Sequence, residues 1–239
     1  MSSNKDRFFE NLLPKLKEAH SYFRFSAIQT AVNEAELEIT DGSLKQYINE
    51  AVHRGIIHDA GRDWYSRLSE PAQIDSKQVA KLIRAVEKAF PLLDFSVWST
   101  TQLNPWMHHL LAQPVHFLNA PKDALETIGD TLRDSGWEVA IDPPPSAARQ
   151  VVRPGEKMVV LRPTLSRQPA AEKRQAPIEQ MLVDLLSENP HCGLMDSSEA
   201  RDAAKKSIHS NLMQVSGMQR YAESRKVKIE EFLSVNQRH

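Results

Sequence analysis

The stretch Thr40 to Leu68, TDGSLKQYINEAVHRGIIHDAGRDWYSRL, constrains the fold most, because a helix with its own start and stop signals runs straight into a hairpin. Asp41 or Ser43 can accept hydrogen bonds from the first free backbone N–H groups, and Gly55 supplies the left-handed residue that ends a helix. The helix is therefore expected over Ser43 to Arg54. Leu44, Tyr47, Ile48, Ala51 and Val52 recur at i, i+3, i+4, i+7 and i+8, the spacing of one buried stripe. The opposite face carries Lys45, Gln46, Asn49, His53 and Arg54. Amides and long basic side chains are the groups that read base edges and phosphates in a major groove. Beyond Gly55, Ile56 and Ile57 start a strand, Ala60-Gly61-Arg62-Asp63 turns, and Trp64 to Leu68 returns as its antiparallel partner.

This order predicts a winged helix-turn-helix in which Ser43, Lys45, Gln46, Asn49, His53 and Arg54 on the helix, with Arg62 and Arg67 on the wing, contact DNA. A helix followed by a hairpin also occurs in domains that bind no nucleic acid, and charge does not separate the two readings. The first 90 residues hold 13 Lys and Arg against 13 Asp and Glu, whereas a phosphate-binding domain is often visibly basic. Glu34, Glu36, Glu38 and Asp41 have to point away from any DNA.

Upstream, residues 5 to 19 read as a helix with Phe8, Phe9, Leu12, Leu13 and Leu16 on one side, interrupted or kinked by Pro14. A second helix is expected over Ser26 to Ala35. Residues 1–70 are thus expected to form the winged domain. Residues 71–90 follow as a connector helix, with Val79, Leu82, Ile83 and Val86 inward and Lys77, Lys81, Arg84 and Lys88 on a solvated face. Residues 91–239 complete the chain as an α/β domain.

In that last part, β-prone runs at Asp94–Ser99, Val115–Leu118, Trp137–Ile141 and Met158–Leu161 alternate with helical patterns at Leu103–Leu111 and Pro121–Asp134. The stretches 142–155 and 163–177 read as proline-rich loops. Three helices close the chain, the first with an inward stripe of Ile178, Met181, Leu182, Leu185 and Leu186 and with Asp184 on its polar side, the others over 197–208 and 211–233. The fold class expected is mixed α/β (α+β), with a winged helix first and a helical C-terminal part.

At 239 residues and 41% hydrophobic content the chain can hold one large or two modest domains. No apolar run approaches the roughly 20 residues that span a bilayer, and the polar start MSSNKDR has no secretory apolar segment, so a cytoplasmic protein is expected. The single cysteine, Cys192, excludes an internal disulfide and a multi-cysteine zinc site. Neither GxGxxG nor GxxxxGK[ST] occurs, and no nucleophile-elbow sequence is present. His108 and His109 are adjacent and diverge, which is poor geometry for a shared metal, and His116 and His191 join them only by tertiary accident. We therefore expect no enzyme, no cofactor and no metal. One alternative chemistry is a metal-dependent nuclease core built on Asp94, Glu138 and Lys157, although no acid-x-lysine pair lies on one strand.

FPLLDFSVWSTTQLNPWMHHLL (Phe90–Leu111), PIEQMLVDLL (Pro177–Leu186) and NLMQVSGMQRYAESRKV (Asn211–Val227) resemble, in that order, motifs of the AbiEi-like bacterial antitoxin family. That family is associated with type IV toxin-antitoxin systems of the abortive-infection, phage-defence kind, and joins a winged helix to an α/β antitoxin domain. The resemblance implies two roles: repression of its own operon by operator binding, and neutralisation of a co-encoded nucleotidyltransferase toxin, with or without direct contact. It also implies that Arg220, Tyr221, Arg225 and Lys226 are candidates for neutralisation. A stand-alone winged-helix transcriptional regulator is the alternative reading.

Overall fold

The computed structural model describes residues 3–233, and the fold is α+β. The chain forms two compact units, neither of them contiguous. Of the described residues, one comprises those up to Ala72 with Ser207–Gln219 and those from Ile229 onward, the other Gln73–Lys206 with Arg220–Lys228. The contiguous division expected from sequence has no place for the two returning segments, because nothing in a local pattern reports which distant residues a helix packs on.

The first unit opens with α1 (Asn4–Arg7), a wide π-helical turn (Phe8–Leu12) and α2 (Leu13–Ala19). Pro14 neither breaks nor ends this segment. It sits in the first turn of α2, where its missing N–H costs little, and the N–H of Leu13 reaches five residues back to the Phe8 carbonyl. A short strand that sequence patterning did not reveal, β1 (Tyr22–Arg24), leads into α3 (Phe25–Glu34) and α4 (Asp41–His53). The wing strands are β2 (His58–Asp59) and β3 (Trp64–Ser66), and the sheet order is β1-β3-β2, antiparallel throughout. Helix, strand, two helices and a hairpin in this pairing make a winged helix-turn-helix. Its core gathers Phe8, Leu12 and Leu13 with Phe23, Ile28, Val32, Leu44, Ile48, Ala51 and Ile57.

The second unit has a four-stranded sheet in the order β4-β5-β7-β6, made from β4 (Ser96–Ser99), β5 (His116–Ala120), β6 (Glu138–Ile141) and β7 (Met158–Pro163). β4 runs antiparallel to β5, while β5, β7 and β6 are parallel. Residues of alternate parity line opposite faces of a sheet. Val97, Leu118, Ala120, Val159 and Leu161 form one core with Val79, Leu82 and Val86 of α5 (Lys77–Ala89) and with Leu125, Ile128 and Leu132 of α6 (Leu125–Asp134). The other face, with Ser96, Asn119 and Arg162, meets α8 (Ile178–Cys192).

Several elements differ from expectation. Thr100–Trp106 is a 3-10 helix, and the stretch at 142–155 contains α7 (Pro145–Val151), whose Pro145 lies at a helix start where proline is tolerated. After α9 (Ser197–Ser210), the expected long last helix is two pieces, α10 (Val215–Ser224) and α11 (Glu230–Leu233). They are separated where Lys226 takes a positive φ of 57°.

Gly129 lies where α6 comes close to the sheet. A Cβ there would stand 2.5 Å from Ile141 Cδ1 and 3.0 Å from its Cγ1. Gly129→Val therefore overpacks the α6–β6 contact. It is expected to lower stability by about 1–3 kcal/mol, read as a shifted midpoint in chemical denaturation.

Candidate functional site

α4 is set by Thr40 rather than by Asp41 or Ser43. The Thr40 Oγ1 accepts from the Ser43 N–H at 3.2 Å, and Asp41 instead accepts from Gln29 Nε2 at 2.9 Å. Gly55, at φ 66°, ends the helix as its sequence position implied. Leu44, Ile48 and Ala51 retain 1%, 0% and 0% of their surface, so the helix cannot rotate about its axis without exposing them. Lys45, Gln46, Asn49 and His53 are consequently exposed together on one face, with Ser43 half-buried at its start.

The charges around this face are partly spent. Glu50, the only acid within the middle of the helix, pairs with Lys5 at 2.7 Å and Arg54 at 3.4 Å, and the Lys5 contact holds its carboxyl below the usual range. Arg54 also lies over the Phe9 ring at 5.1 Å, which leaves it less free than its position in the sequence suggests. On the wing, Asp59 Oδ1 accepts from the Gly61 N–H at 2.7 Å and shapes the turn. Arg62 at the tip keeps 92% of its side-chain surface, and its Nε stands 3.9 Å from the Asp63 carboxylate. Arg67 is exposed.

The neutralisation candidates divide differently. Tyr221 and Arg225 are interior, whereas Arg220 and Lys226 are exposed. Asp184, expected on a polar face of α8, is 2% exposed and points inward. The reason is that α8 is apolar around most of its circumference, so its polar residues Gln180, Asp184 and Glu188, at i, i+4 and i+8, are buried with it. Asp184 accepts from the Tyr221 hydroxyl at 2.6 Å and from Gln180 Nε2 at 3.2 Å. The Arg225 Nε stands 3.2 Å from the same carboxylate, within ion-pair distance but off line for a hydrogen bond. Glu188 takes both Arg162 Nε (3.1 Å) and Nη2 (2.6 Å) and also receives Arg225 Nη2. Arg162 Nη1 completes the cluster by donating to Asp142 and to the Pro143 carbonyl.

Apart from the Arg225 Nε these groups are hydrogen-bonded to one another, so the cluster holds Tyr221 of α10, and Arg225 just beyond it, against α8. Burial raises the Asp184 carboxyl to about 6, with Arg225, Tyr221 and Gln180 opposing. Burial acts on Glu188 in the same direction, but Arg162 and Arg225 outweigh it and leave Glu188 below its ordinary range. Cys192, whose thiol lies 3.7 Å from Glu188, is pushed up to about 11 by burial, which removes thiolate chemistry near neutrality.

The nuclease-like trio is not brought together. β4 is antiparallel, so Asp94 lies beyond the pair Ser96–Asn119 at one end of the sheet, while Glu138 pairs with Met158 at the other end, beside Lys157. Asp94 is engaged instead by Arg174 at 3.0 Å. His108 and His109 donate backbone N–H groups to Glu199 Oε1 at 2.6 and 3.2 Å. Among the described residues no group of three or more His, Cys, Asp or Glu side chains is placed to hold a metal, and no helix is long and apolar enough to cross a membrane.

A model of DUF6577, a family of unknown function, matches residues 43–239. The chain belongs to that family. No curated protein and no solved structure matches it. The DUF6577 match begins at Ser43, in the first turn of α4, so the exposed face of that helix, the wing and the ionic cluster all lie within it.

Asp184 gives the second unit a testable signature. Its carboxyl binds a proton more tightly in the fold, at about 6, than near the ordinary 3.8. Its contribution to stability is therefore fully present below about 3.8 and is lost as pH rises through about 6. Glu188 acts oppositely and in a more acidic window, being stabilising when ionised. The thermal midpoint of Asp184→Asn minus that of the wild type is expected to increase between pH 4 and pH 6.5, in a buffer series. Parallel curves would contradict the assignment.

Proposed function

We propose that this chain binds duplex DNA sequence-specifically through α4 and the wing, and that it serves as the DNA-binding antitoxin of a bacterial toxin-antitoxin pair. The observation that carries the DNA reading is the single exposed face holding Lys45, Gln46, Asn49 and His53, on a helix whose other face is closed in a core and whose end feeds a two-stranded wing. Gln and Asn each offer an acceptor and a paired donor, the complement of an adenine edge in the major groove, while Lys45 and Arg62 suit phosphates. Glu50, an acid on the same helix, is already paired with Lys5. Balanced charge in this part of the chain fits a protein that depends on base contacts more than on a broad electrostatic field.

The antitoxin half of the proposal is supported by the resemblance of the segments at Phe90–Leu111, Pro177–Leu186 and Asn211–Val227 and by the joining of a winged helix to a mixed α/β unit. Within it, Arg220 and Lys226 are the surface groups for a partner, and Tyr221 and Arg225 act by fixing α10. A stand-alone regulator differs in one respect: its neighbouring gene product is harmless. Co-expression of that product with and without this chain separates the two.

Gln46→Ala combined with Asn49→Ala is expected to weaken binding to the chain's own upstream DNA by at least roughly 30-fold, following about 1–3 kcal/mol for each of the two lost bidentate base contacts. The thermal midpoint should stay near wild type, because both residues are exposed. Fluorescence anisotropy with a labelled duplex measures the first and scanning fluorimetry the second.

A further inference from the structure

The wing of the first unit is not self-supporting. The tip turn is short, and β2 has only two residues, whereas an isolated two-stranded hairpin is marginal in water. Part of the support comes from the returning segment Asn211–Gln219, which belongs to the same compact unit. The Tyr22 hydroxyl donates to the Asn211 carbonyl and accepts from the Met213 N–H at 2.9 Å, and the Leu212 N–H donates to the Glu70 carbonyl at 2.7 Å. At the wing itself, the Arg62 N–H donates to Ser216 Oγ at 3.0 Å. Gln219 Oε1 accepts from Trp64 Nε1 at 3.0 Å and from Arg24 Nη2 at 3.4 Å. Arg24 lies over the Trp64 ring at 4.7 Å, so the same acceptor fixes both members of a cation–π pair.

The approach is close enough to require glycine at the tip. Gly61 has φ 97°, and a Cβ on it would stand 2.2 Å from Ser216 Oγ. The consequence for Arg62 is specific: its backbone is tied to Ser216 while its side chain remains 92% exposed.

We infer that Ser216 and Gln219 are positioning residues for DNA recognition, holding the wing so that Arg62 is presented to a phosphate in register with α4. This rests on the DNA-binding reading given above. Neither residue touches DNA in this account. They act through the backbone of Arg62 and through the Arg24–Trp64 pair. A disordered tip would have to pay the ordering entropy on binding, and that cost is removed in advance.

The test uses the full chain carrying Ser216→Ala with Gln219→Ala, and a labelled duplex from the region upstream of its own gene. Dissociation constants are measured across a salt series, and amide exchange is followed in the peptide covering residues 58–66. Binding is expected to weaken on the order of tenfold, and the slope of log affinity against log salt to shrink by about 0.9, the loss of one phosphate contact. Amide exchange at the wing should accelerate, while Gln219→Glu, which keeps the acceptor, retains wild-type affinity. A merely structural role would lower the thermal midpoint and leave the salt slope unchanged. That result, or unchanged affinity and slope in the double variant, overturns the positioning role alone. Failure of the wild-type chain to bind any duplex at low salt overturns the DNA-binding reading and this inference with it.

Discussion

The rotation of α4 about its own axis is the constraint on which the functional account depends. Leu44, Ile48 and Ala51 are closed into a core with Phe8, Leu13, Ile28 and Val32, and turning the helix would expose them at a cost of about 1.5–3 kcal/mol for each large apolar side chain. That packing leaves one face for solvent, and the residues on it are two amides, a lysine and a histidine. The surrounding interactions refine this face without creating it: Thr40 fixes where the helix begins, Gly55 where it ends, and Lys5 removes the repulsion of Glu50.

In the second unit the governing requirement is different. Two carboxylates on one buried helix have to find cations, because an unpaired buried charge is far more costly than a paired one. Glu188 is met by Arg162 from the sheet and by Arg225 from beyond α10, and Asp184 by Arg225, Tyr221 and Gln180. The chain's late segment is thereby committed to α8. Such a cluster is poor evidence of extra stability and good evidence of a specified arrangement, since replacing the whole set with apolar groups of similar shape is often tolerated while removing one partner is not.

Much of the first unit was legible in the sequence because its signals are local. The stripe Leu44-Ile48-Ala51 and the turn Ala60–Asp63 each carry their geometry in adjacent residues. β1 was not legible, since three residues between two helices show no alternation, and its partner β3 lies across the whole helical pair. The second unit's strands were near their expected places, yet Asp184 was read as outward-facing because a charged residue on a helix normally is. The available signal was that Ile178, Met181, Leu182, Val183 and Leu185 cover most of the α8 circumference, which marks a helix buried all round. Tyr221 and Arg225 are grouped with Arg220 and Lys226 through the family resemblance alone, which carries no burial signal. Their partners come from α8, far away in sequence.

The most direct test of the central claim is selection from a pool of random-sequence duplexes by the full chain at about 0.1 M salt, followed by sequencing of the retained fraction. A helix that reads base edges through Gln46 and Asn49 enriches a short motif containing adenine at fixed positions. A retained fraction with the composition of the input, or retention that depends on salt alone, would show that the exposed face of α4 does not read sequence.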